Sequence, residues 1–156
     1  MKEKQLLIVD LDNTLLKTDL LYECFWSAFS KNWKIIFSCI FFLFKGKAML
    51  KRFLFQSSSL KLELLPYDKE VIKYIKNFSK KNKCKVGIVT AANQDLANKI
   101  SNHLGLFDFV YGSNQKINLK GKNKLNFIKK ISDDYSFVYM GISSFCIKCK
   151  FTFRYY

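Results

Sequence analysis

The chain has 156 residues, 49% hydrophobic and 25% charged, enough for a real core, so disorder and low complexity are excluded as descriptions of the whole. Lys and Arg number 27 against 12 acids, a formal charge of +15, with Arg52 and Arg154 the only arginines. AT-rich coding and solubility account for that charge as readily as an anionic partner does, and no motif or run of stacking residues supports nucleic-acid binding.

Gln5 to Val9 is a short apolar run ending at Asp10, the form of a strand buried on both faces of a parallel sheet. Leu16 to Leu65 holds no convincing strand. Thr18 or Asp19 opens a helix through Leu21, Phe25 and Phe29; Trp33 to Phe44 forms a second; after Gly46 a third runs through Leu50, Phe53 and Leu54. Gln56 to Ser59 and Pro66 bracket the exit. Ile35 to Phe44 is nearly all apolar, yet far short of the ~20 residues that span a bilayer. Lys31, Lys34, Lys45, Lys47, Lys51 and Arg52 flank it. Two readings follow: an interfacial helix lying on anionic lipid, or the buried helix of a small cap. A helix apolar all round ordinarily sits inside protein, which favours the cap core.

Strands and helices then alternate. Asp68 caps a helix whose Val71, Ile72, Ile75 and Phe78 share a face; Cys84 to Val89 is a strand ending in Thr90. Asn93 caps the next helix, with Leu96, Ile100 and Leu104 inward and Gly105 as its stop. Phe107 to Tyr111 is a third strand. Leu125, Ile128 and Ile131 mark a helix, and Phe137 to Met140 is a fourth strand ending in Gly141. The pattern predicts an α/β fold with a parallel sheet, built from residues 1–15 and 66–156, with residues 16–65 as a helical cap over its ligand edge. Ligands in such sheets bind beyond the carboxyl ends of the strands, where Asp10, Thr90 and Gly141 fall.

Cys24, Cys39, Cys84, Cys146 and Cys149 are scattered, and the chain enters its first strand almost at once, which points to a reducing cytoplasmic compartment. Cys146 and Cys149 form a lone C-x-x-C without a second pair or nearby His, a weak basis for zinc or redox chemistry. His103, the one His, reads as a surface or capping residue.

Asp10-Leu-Asp-Asn-Thr-Leu15 places two carboxylates two residues apart just after a hydrophobic strand, where they can converge on one metal and one phosphoryl group. The stretch resembles motif I of the haloacid dehalogenase (HAD) superfamily. Thr90 resembles motif II, and Lys120-Gly121 resembles motif III, with Lys124, one turn later, as the competing lysine. The segments Asp10 to Glu23, Gly46 to Lys51, Leu65-Pro-Tyr67, Thr90-Ala-Ala92, His103 to Asp108 and Asn118 to Gly121 are similar to one branch, the HAD-like domain found ahead of UbiA-type prenyltransferases.

That resemblance implies a Rossmann-like parallel sheet with a helical cap and a Mg²⁺-dependent phosphatase site. Asp10 would be the nucleophile and Asp12 the general acid/base; Thr90, Ala91 and Lys120 would hold the phosphoryl group. Asp10, the Asp12 carbonyl and a motif IV acid would hold Mg²⁺. It also implies a small phosphorylated substrate, prenyl- or sugar-linked, and a membrane surface or a prenyltransferase as partner at the inner face of the membrane. The chain departs from the family at motif IV. Gly141 and Ser143 match, but Ile142 and Cys146 stand where polar and acidic groups belong, and no acid occurs from Ile142 to Tyr156. The expectation is a chain truncated or frame-disrupted after Gly141, lacking its last strand and helix, with weakened Mg²⁺ binding and low or absent phosphatase activity. The alternative is a non-catalytic module of the same fold.

Overall fold

The computed structural model describes residues 5–82, 84–114, 117–132 and 136–141. Four strands, β1 (Gln5–Val9), β2 (Lys85–Asn93), β3 (Phe109–Ser113) and β4 (Ser136–Met140), form one sheet in the order β3-β2-β1-β4. All three pairings are parallel. β1 lies between β2 and β4, and its alternate residues enter two different cores. Leu7 and Val9 join the larger cluster, while Leu6 and Ile8 join Val89, Leu119 and Ile128 on the other side. A strand covered on both faces must be apolar at every position, which is why it reads as an unbroken run.

The helices are α1 (Leu20–Phe29), α2 (Ile35–Phe44), α3 (Lys47–Ser57), α4 (Lys69–Asn82), α5 (Gln94–Leu104) and α6 (Lys122–Ile131). Their ends follow local chemistry. Asp19 accepts from the Leu21 amide at 2.8 Å, Asp68 from Glu70 at 2.9 Å, and Asn93 from Asp95 at 2.9 Å. Gly105 closes α5 in the left-handed region at φ 60°, where a side chain would be strained. Thr18 is not the cap of α1; its hydroxyl donates to Glu23 instead.

The segment from Leu16 to Leu65 is helical, as expected, and the chain enters and leaves it side by side. Leu16 bridges Tyr67, Lys17 donates to the Pro66 carbonyl at 2.9 Å, and Asp68 donates to Leu15 at 2.9 Å. Leu20, Cys24 and Leu54 carry α1 and α3 into the core cluster of the sheet.

Three expectations change. β2 runs on past Thr90 to Asn93, but its ladder with β3 breaks between Val89 and Asn93, so the stretch holding Thr90 bulges out of register. β3 starts at Phe109, because the Asp108 carboxylate takes the Val86 amide at 2.7 Å and ends the preceding loop there. The buried reading of Ile35–Phe44 is overturned: only Ile35 is buried, while Phe37, Phe41 and Phe44 are 65%, 56% and 89% exposed. The helix packs against α3 and α1 on one side, for example Phe42 stacked on Phe53 at 4.3 Å, and one-sided packing covers only one stripe. The expected loss of a last strand and helix concerns residues outside those described.

Gly87 shows how tightly the sheet is filled. It pairs with Phe109 on β3, whose ring occupies the space that a Cβ would need. Gly87→Ala is expected to cost about 1–3 kcal/mol by overpacking. Thermal unfolding checks this, and adding Phe109→Leu should recover part of the loss.

Candidate active site

The carboxyl ends of the strands open into a cavity of about 920 Å³. Asp10, immediately after β1, and Asp12, in the turn that follows, both line it, together with Lys120, Lys124 and Tyr139. The turn over Leu11–Leu15 is one wide loop, closed by the Leu16 amide on the Leu11 carbonyl at 2.9 Å. Asn13 sits within it at φ 53°, a conformation that Asn tolerates better than most residues. Leu11 and Leu15 are buried beneath the turn, so the intervening carboxylate is held on a fixed base.

Asp10 is anchored at three points. Its backbone amide donates to Met140 at 2.9 Å, across the β1–β4 ladder. Its Oδ1 accepts from the Leu11 amide at 2.9 Å. Its Oδ2 takes the Lys124 ammonium at 2.6 Å and the Tyr139 hydroxyl at 3.2 Å. Lys124 and Asp10 side chains are 12% and 13% exposed, so the pair is largely withdrawn from water. Burial, then the Asp10 charge, pushes the Tyr139 hydroxyl well above its ordinary range and keeps it a donor.

Asp12 is different. Its Oδ1 accepts from the Leu20 amide at 2.9 Å, tying the turn to the first residue of α1. Burial dominates and pushes its carboxyl up to about 6, with the charges of Asp19 and Asp10 adding to the rise and Lys51 opposing it. One carboxylate is thus paired with a cation, and its neighbour is poised to exchange a proton near neutral pH. Because the folded value is raised, proton uptake favours the fold: in metal-free protein Asp12 stabilises it at low pH, and this contribution fades as pH climbs from the ordinary 3.8 to about 6. Asp12→Asn is therefore expected to gain up to about 3 kcal/mol on the parent at about pH 8 and little at about pH 4. Denaturant titrations at the two pH values, with chelator present, measure the difference.

The other expected residues are placed as follows. Thr90 is fully buried, and its hydroxyl accepts from the Ala92 amide at 3.1 Å; the cavity wall beside it is Ala91, Ala92 and Asn93. The α5 amides of Asp95 and Leu96 are taken by the Asn93 side chain. Lys120 lines the cavity but is exposed, and the ammonium against Asp10 belongs to Lys124. This corrects the placement of Lys120 as the lysine that balances the aspartate. Lys120 precedes Gly121 and the helix, whereas Lys124 stands within the first turn of α6, on the stripe that also carries Ile128 into the core.

Two residues escaped the sequence reading of the site. Lys51, on α3, reaches over to the Ala91 carbonyl at 2.6 Å and lines the same cavity. Burial lowers its ammonium, with Asp12 opposing and Lys120 adding to the lowering. Tyr139 was hidden in an apolar strand; its one signal is the period of two that sets it on the same side of β4 as Phe137, another cavity residue. Cys24 also lines the cavity, but burial pushes its thiol up to about 11, so it is no ready nucleophile.

The donors available to a metal are oxygens: the Asp10 carboxylate, Asp12, and the Asp12 carbonyl, which the Thr14 hydroxyl meets at 3.5 Å. Among the described residues no group of three or more His, Cys, Asp or Glu converges, and Cys146, which the sequence resemblance sets against a motif IV acid, lies outside them. One or two carboxylates completed by water and substrate phosphate is the ordinary ligation of Mg²⁺, and the set fits that ion.

No family model matches the chain. A curated relative, the uncharacterized protein y4nM of Sinorhizobium fredii, is 36% identical over 138 residues, covering 88% of this chain and 26% of that protein. The chain thus spans about a quarter of the relative's length. Among solved structures, a substrate-bound phosphoserine phosphatase complex superposes with a TM-score of 0.56 at 16% identity, covering 89% of this chain and 78% of the other. A haloacid dehalogenase-like hydrolase, SP0104 of Streptococcus pneumoniae, gives 0.54 at 15% identity, covering 85% and 72%. A phospho-aspartyl intermediate analogue of phosphoserine phosphatase gives 0.52 at 16%, covering 88% and 78%. The chain has the α/β fold of haloacid dehalogenase-type hydrolases.

Proposed function

We propose that the cavity is a phosphomonoester hydrolase site working through an aspartyl-phosphate. The observation that carries this reading is the Asp10–Asp12 pair at the mouth of the parallel sheet, with Lys124 2.6 Å from Asp10. Asp10 attacks phosphorus and the alcohol leaves. Asp12, its carboxyl raised to about 6 so that a protonated fraction persists towards neutral pH, gives the leaving oxygen its proton. It then takes one from the water that attacks phosphorus, freeing phosphate and Asp10. Lys124 and Lys120 face the phosphoryl charge from α6 and its approach, Ala91 supplies part of the wall opposite, and Thr90, buried behind that wall, fixes it through the Ala92 amide. Asp10 and Asp12 would hold Mg²⁺, which would supply neutralisation of the phosphoryl oxygens. Residues 16–65 act as the cap, and Lys51 ties it to the Ala91 carbonyl.

The substrate is a small phosphorylated compound. The resemblance to UbiA-linked domains supports a prenyl or sugar linkage and a prenyltransferase partner at the inner face of a membrane. The acid-free stretch from Ile142 to Tyr156 favours a slow site with a weakened metal. The same stretch favours one alternative, a non-catalytic module that keeps the fold and serves a partner. Mg²⁺-dependent phosphate release from p-nitrophenyl phosphate by the 156-residue chain, with metal-dependent thermal shift alongside, separates the two.

A further inference from the structure

The outward side of α2 is unlike the rest of the surface. Trp33, in the turn just before the helix, and Ile36, Phe37, Ile40, Phe41 and Phe44 within it recur at spacings of three and four, and each is between 40% and 89% exposed. The opposite side is occupied: Ile35 is buried, Cys39 packs on the core, and Phe42 stacks on Phe53. The exposed residues therefore form one continuous apolar stripe along a 10-residue helix, about 15 Å long. No helix among the described residues is long and apolar enough to cross a membrane, so this one has the dimensions of a surface-lying element.

Charge names the partner. Lys31 and Lys34 stand exposed before the stripe, Lys45 and Lys47 after it, and Lys45 lies over the Phe41 ring at 4.6 Å. Between Glu23 and Glu63 the chain carries no acid at all. A second copy of this chain would bring a like-charged collar against these lysines. An anionic lipid surface instead offers negative charge at the rim and hydrocarbon beneath the stripe, at the depth where Trp and Phe side chains settle. We propose that α2 docks on anionic membrane surface, lying in the interface with Phe37, Phe41 and Phe44 inserted. The inference is independent of the phosphatase reading.

Flotation of the full chain with vesicles of phosphatidylglycerol and phosphatidylcholine tests it, against pure phosphatidylcholine. Expected results are binding to the anionic vesicles at physiological salt and about tenfold or weaker binding to the neutral ones. Phe37→Asp/Phe41→Asp should lose at least about tenfold of the anionic binding with an unchanged circular dichroism spectrum. These positions are more than half exposed and touch the neighbouring Trp33 and Phe42 rings and the Lys45 ammonium, so the variant loses little packing. With Trp26→Phe leaving Trp33 as the reporter, vesicles should shift its fluorescence to the blue. Equal binding by parent and double-Asp variant would overturn the proposal as mere cation attraction. So would no binding, or a dimer in sedimentation that the double-Asp variant splits.

Discussion

Asp10→Asn is expected to bring phosphate release to background, a loss of about 10³-fold or more if Asp10 is the attacking group. The change is nearly isosteric. An amide oxygen can still accept from the Leu11 amide, which now meets Oδ1 at 2.9 Å. What disappears is the negative charge and the nucleophilic oxygen beside Lys124. The Lys124 ammonium then keeps the Tyr139 hydroxyl at 3.4 Å as a neighbour, and a folded variant is expected by circular dichroism. The measurement is phosphate release at saturating Mg²⁺, with intact-mass detection of the phosphorylated parent. A variant that hydrolyses substrate at the parent's rate removes Asp10 from the mechanism.

Lys124→Met carries the second large effect, on stability. Breaking a fully buried ion pair by removing one partner costs about 3–5 kcal/mol because the remaining charge is stranded. Here both side chains keep slight access to the cavity, 12% and 13%, so a loss of about 2–3 kcal/mol is expected. For a domain of this size that lowers Tm by roughly 4–12 °C. Lys120→Met, exposed at the cavity rim, should stay within about 0.5 kcal/mol of the parent. Thermal melts of the two variants decide between the lysines without any substrate. Equal melts would mean that the Asp10 charge is satisfied by water rather than by α6.

Much of this was legible locally. The Gln5–Val9 run, the caps at Asp19, Asp68 and Asn93 and the Gly105 stop depend on neighbours within a few residues, and so does the spacing of Asp10 and Asp12. The lysine was not, because Lys120 and Lys124 are four apart, and only the start of α6 relative to β1 decides which one faces Asp10. Lys51 was read as a flanking cation since its contact, the Ala91 carbonyl, is 40 residues away. The α2 helix misled for a related reason. Hydropathy records that Phe37 and Phe41 avoid water but not whether any protein is there to cover them.

The position of β1 between β2 and β4 bears on how the molecule is made. β1 acquires its second neighbour from Ser136–Met140, which is synthesised long after it. Until then one edge of β1 is unpaired, the Asp10 amide lacks its Met140 acceptor, and Leu6 and Ile8 wait for the α6 side of their core. Nascent chains stalled before Ser136 has emerged should be held by chaperones and cleaved readily, and this sheet should complete only once β4 is available.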